Sequence, residues 1–68
     1  MGAPPRTKSD YMRKIANKRA ELARARAAVS TARMRNDKHG AYAHRQWVAS
    51  LQADIAMLQA QMYDAPRR

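Results

Sequence analysis

The chain predicts an all-α fold: an antiparallel, coiled-coil-like hairpin of two long helices. Three observations point there. Val48, Leu51, Ile55, Leu58 and Met62 recur at three, four, three and four residues, the a/d seam of one helix laid against another. Ile15, Leu22 and Val29 repeat at heptad spacing in the first half. Between the two seams lies Asn36-Asp37-Lys38-His39-Gly40, the most turn-like stretch of the chain. Antiparallel pairing sets Val29 against Val48, Leu22 against Ile55 and Ile15 against Met62, with the fold point between Lys38 and His39. One uninterrupted helix fails on phase, because Val29 and Val48 would stand about 100° out of alignment at 3.6 residues per turn.

Each element follows in order. Residues 1–8, with Pro4, Pro5, Arg6 and Lys8, read as a flexible Pro/basic arm. Thr7 followed by Asp10 fits a capping box, with Ser9 the competing N-cap. The first helix is expected over 9–36, where no Pro or Gly interrupts a run dominated by Ala, Arg, Lys, Leu and Met. Residues 37–40 form the turn, and Gly40 ends or separates the helices. The second helix is expected over 41–63, closed by Pro66, and 64–68 is a basic tail ending in Arg67 and Arg68.

A second pattern lies behind each seam. Ala16, Ala20, Ala23, Ala27, Ser30 and Met34 recur at four- and three-residue steps, as do Ala49, Ala53, Ala56 and Ala60 between Tyr42 and Tyr63. Two readings stand side by side. Alanine is the best helix former on a solvated face, and small residues at this spacing also let another helix approach closely. On the second reading two hairpins pair into a four-helix bundle, a homodimer. A chain of 68 residues buries a modest core, which favours self-association or a partner. Trp47 widens the apolar stripe beside Val48, either as a partly buried core edge or as an interface anchor. Met57, off the seam, points the same way, and Lys18 in the minor row with Ala25 and Ala32 opens that end of the seam to solvent.

Charge is the other strong signal, +9 overall and unevenly spread. Residues 1–38 hold eleven Lys and Arg against three acids, a net of +8; residues 39–68 hold three against two, a net of +1. Such a balance favours polyanionic partners, nucleic acid or an acidic protein surface. Arg19, Arg26 and Arg33 stand one heptad apart, about 10.5 Å between neighbours along a helix, with Arg13, Lys14, Arg24 and Arg35 around the same helix. Such a row can track a phosphate backbone, since Arg binds phosphate bidentately. The alternative is that arginine stems cover apolar surface while the heads stay in water. At the tip, Arg33, Arg35, Lys38, His39, His44 and Arg45 gather with Tyr42, a cluster suited to clasping a phosphate or stacking a base, or simply a solvated turn.

Several classes drop out. There is no cysteine, so no disulfide and no thiolate metal site. His39 and His44 are a poor metal pair with only Asp37 near. No glycine-rich phosphate loop, nucleophile–base constellation or facing carboxylate pair is visible, so no enzyme, cofactor or small-molecule substrate is expected. Long antiparallel helices also do not fit a helix-turn-helix or a basic zipper. No apolar run spans a membrane, and the Met1-Gly2 opening lacks the Ser or Thr of a myristoylation signal, Arg6 standing there; a cytoplasmic protein is expected. Ten arginines to four lysines with fifteen alanines suit a GC-rich bacterial or phage genome. The function expected first is low-specificity nucleic-acid binding without catalysis. Second comes a helical interaction module, for example a phage-encoded effector, that docks on another protein; membrane-surface binding ranks third.

Overall fold

The structure, a computed structural model, describes residues 6–66. Most of the expected N-terminal arm, together with Arg67 and Arg68, lies outside them. Two α-helices, α1 (Lys8–Met34) and α2 (Lys38–Tyr63), pack along their lengths into a hairpin. The rod measures 47 × 17 × 16 Å.

α1 begins at Lys8, one residue before the expected start, on a Thr7 cap. The Thr7 hydroxyl accepts from the Asp10 amide at 3.2 Å, and the Asp10 carboxylate accepts in return from the Thr7 amide at 3.4 Å. That is a closed capping box, and Ser9 lies inside the helix. The Lys8 amide, another orphan of the first turn, donates to the Pro66 carbonyl at 2.9 Å. A backbone bond thus ties the two ends of the hairpin together.

The turn lies earlier than 37–40. α1 stops at Met34, Arg35 caps it, and Asn36 takes a left-handed backbone with φ 57°. The Asp37 amide reaches the Ala32 carbonyl at 2.8 Å and the Asn36 amide reaches the Arg33 carbonyl at 3.1 Å, the two bonds of a Schellman motif. Asn36 therefore does what Gly40 was expected to do. Asp37 then caps α2, its carboxylate accepting from the Gly40 amide at 2.9 Å. Lys38, His39 and Gly40 form the first turn of α2, and a Cβ on Gly40 would run into the capping carboxylate of Asp37.

The earlier turn moves the register. The cross-helix pairs Lys8–Pro66 and Lys18–Asp54 centre on residues 37 and 36, not between Lys38 and His39. Leu58, rather than Met62, accordingly lies across from Ile15. Ile15, Ile55 and Leu58 form the core cluster, with Tyr11, Leu22 and Met62 packed against it. Toward the tip the core is small: Ala25, Ala32 and Ala41 are buried, Ala25 completely, while Val29 and Val48 are half-buried. In this register Ala25 faces Val48 and Ala32 faces Ala41, so a small residue lets the helices close up where two valines were expected to meet. The inward row of α1 runs Tyr11, Ile15, Lys18, Leu22, Ala25, Val29, Ala32; that of α2 runs Ala41, His44, Val48, Leu51, Ile55, Leu58, Met62. No described helix is long and apolar enough to cross a membrane.

Candidate nucleic-acid interface

The seams divide the remaining surface of the rod into two flanks. One flank is reached by stepping one residue past Lys18, Ala25 and Ala32 on α1, and past His44, Leu51 and Leu58 on α2. In an antiparallel pair these positions lie on the same side of the seam. They are Arg19, Arg26 and Arg33 on the first helix and Arg45, Gln52 and Gln59 on the second, all exposed. Two depressions follow this side. A groove lined by Arg26, Val29, Ser30, Arg33 and Met34 runs along α1, and a recess at the tip is lined by Arg33, Asn36, Asp37, Lys38, Ala41 and Arg45. Arg33 belongs to both, so the row on α1 continues round the tip to Arg45.

The electrostatics of the flank follow from where the acids are. Glu21 and Asp54 sit on the opposite flank, Asp10 and Asp64 near the free end, and Asp37 at the turn. Among the described residues the ion pairs are Arg13–Asp10 at 3.8 Å and Lys18–Asp54 at 3.6 Å. Arg19, Arg26, Arg33 and Arg45 have no such partner within the described residues. The one carboxylate bordering their side is that of Asp37, which is engaged by the Gly40 amide. From Arg19 to Arg33 the row covers about 21 Å of helix axis, comparable with about six steps of a duplex at 3.4 Å each.

The other expected phosphate contacts are not gathered there. Arg13, Lys14, Arg24 and Arg35 are exposed on other sides of α1, and Arg13 is engaged with Asp10. Lys38 joins Arg33 and Arg45 at the tip, whereas Tyr42 points outward from α2, 60% exposed. His44 faces the seam, half-buried, with its ring 6.3 Å from that of Trp47. Among the described residues no group of three His, Cys, Asp or Glu is placed to hold a metal. Trp47 lies on the flank opposite the arginines, 39% exposed, with Met57 beyond it. Both alanine rows face away from the seam and are exposed.

Sequence reasoning missed the Lys18–Asp54 pair, which bridges the seam where an open end was expected. Arg45, expected at the tip, also shares the flank of the α1 row. Both follow from the register, which the position of the turn decides. A comparison of the chain with protein-family models, with curated proteins and with solved structures finds no significant match.

Proposed function

We propose that this chain is a non-enzymatic nucleic-acid-binding accessory protein that holds phosphates with low sequence specificity. One observation carries the reading: Arg19, Arg26, Arg33 and Arg45 share a flank, and none of them is ion-paired among the described residues. Four unpaired guanidinium groups in a row repel one another, and a polyanion laid along them relieves that repulsion and releases its own counterions. Among the described residues no short recognition helix projects from the hairpin, and binding through phosphate carries little sequence information.

Salt titration of binding to short DNA and RNA tests this. Four phosphate contacts give a log–log slope of about −3.6 on duplex DNA and about −2.8 on single strands. Replacing any one of Arg19, Arg26 or Arg33 by Gln lowers the slope by about 0.9, whereas Arg24→Gln, the same charge change off the flank, changes it little. No binding to DNA or RNA at low salt would rule the reading out.

A second reading rests on Trp47 and Met57, exposed away from the arginines. It makes the hairpin an interaction module docking on an acidic protein partner. A partner held by apolar contacts survives a high-salt wash, and nucleic acid does not. The finer architecture, a pair of hairpins making a four-helix assembly, is also a proposal.

A further inference from the structure

The outer face of α2 carries no charge in a chain with fourteen cations and five anions. Tyr42, Gln46, Ala49, Ala53, Ala56, Ala60 and Tyr63 make up that face, and the tyrosines at its ends are 60% and 84% exposed. α1 differs: its outer face carries Arg13 and Arg24 and is bordered by three arginines, where that of α2 is bordered by Arg45 alone.

One row of this face reads the same in both directions. Tyr42, Ala49, Ala56 and Tyr63 stand one heptad apart, large at the ends and small in the middle. Laid antiparallel on a second copy about an axis midway between Gln52 and Ala53, Tyr42 comes opposite Tyr63 of that copy and Ala49 opposite Ala56, and the two copies of Ala53 lie one residue, about 1.5 Å, apart along the helices. An isologous two-fold contact requires this kind of self-complementarity. Gln46 falls within one residue of Ala60 of the copy, so no charge is buried anywhere along the face.

Area argues for an occupant. The chain exposes 5466 Å², where a compact monomer of 7.7 kDa exposes about 4,300 Å². The excess, about 1,100 Å², belongs to the whole rod, and a second hairpin laid along α2 would cover part of it. Pairing through α1 instead, or stacking the hairpins on the arginine flank, would bring Arg19, Arg26 and Arg33 of two copies together.

We propose that the outer face of α2, from Tyr42 to Tyr63, docks against the same face of a second copy, antiparallel, with the two-fold axis passing beside Ala53. This specifies the self-association proposed above and is independent of what the arginine flank binds. The absence of native cysteine allows a direct test on the full chain. Ala53→Cys should oxidise to a disulfide-linked dimer about tenfold or more faster than Ala20→Cys on α1, since only the former is held near its own copy. In sedimentation the wild type should run as a dimer, Ala20→Glu likewise, and Ala53→Glu as a helical monomer, because two carboxylates would meet at the axis. A monomeric wild type overturns the proposal, as does equal cross-linking at both sites or an Ala53→Glu protein that remains dimeric. Loss of nucleic-acid binding with the dimer intact would bear on the arginine flank alone.

Discussion

Asn36 turns the chain by accepting a left-handed backbone that costs most L-residues about 1–2 kcal/mol. Asn36→Val should therefore lower stability by about that amount, and Asn36→Gly should match or exceed the wild type. Thermal melts of the two variants decide it; equal melting temperatures would mean that the turn is not held in this form. At the other end of α1, the Asp10 carboxyl is held below its ordinary 3.8, first by the Arg6 amide and then by Thr7 and Arg13. A depressed folded-state value means that folding favours the ionised form. That contribution is present above about pH 4 and is lost as the pH falls through the lower, folded-state value. Asp10→Asn should accordingly flatten the acid limb of the melting-temperature profile, and Thr7→Ala, which breaks the same box, should cost about 1 kcal/mol at neutral pH.

At the scale of the helices, the seam was legible and its register was not. The spacing of Val48, Leu51, Ile55, Leu58 and Met62 on one helix, and of Ile15, Leu22 and Val29 on the other, reported the inward faces because a heptad of apolar residues has few other solutions. Gly40 misplaced the turn. Glycine is the usual helix terminator, yet Asn tolerates the same backbone and Asp37 beside it is a natural N-cap, so Asn36-Asp37 ends one helix and starts the next. Ala25, Ala32 and Ala41 were hidden for another reason: alanine marks a helix wherever it lies, and burial does not change its signature. With Ala25 at 0% exposure, Ala25→Leu should force the helices apart and cost about 1–3 kcal/mol. Chemical denaturation measures it, and a neutral result would place the close approach elsewhere. Of the candidate interface, the heptad of arginines and Arg45 at the tip were legible, but that they share one flank followed only from the register.

Over the whole molecule, charge and apolar surface are sorted onto different sides: arginine without acid on one flank, Trp47 on the other, and an uncharged outer face on α2. Two antiparallel helices side by side are related by a two-fold axis normal to their plane, so a dimer through α2 turns both arginine flanks to the same side. The dimer should then show a salt slope close to twice that of monomeric Ala53→Glu on a duplex long enough to cover both flanks; equal slopes would mean that one flank binds at a time. The bond from the Lys8 amide to the Pro66 carbonyl has a topological consequence as well. Since the chain meets itself where α1 begins and α2 has ended, the fold is close to a ring with one gap. Sealing that gap with a short Gly/Ser link and reopening the ring between Asn36 and Asp37 gives a circular permutant in which α2 precedes α1. The seam of such a protein is unchanged, and the order in which its helices are synthesised is reversed.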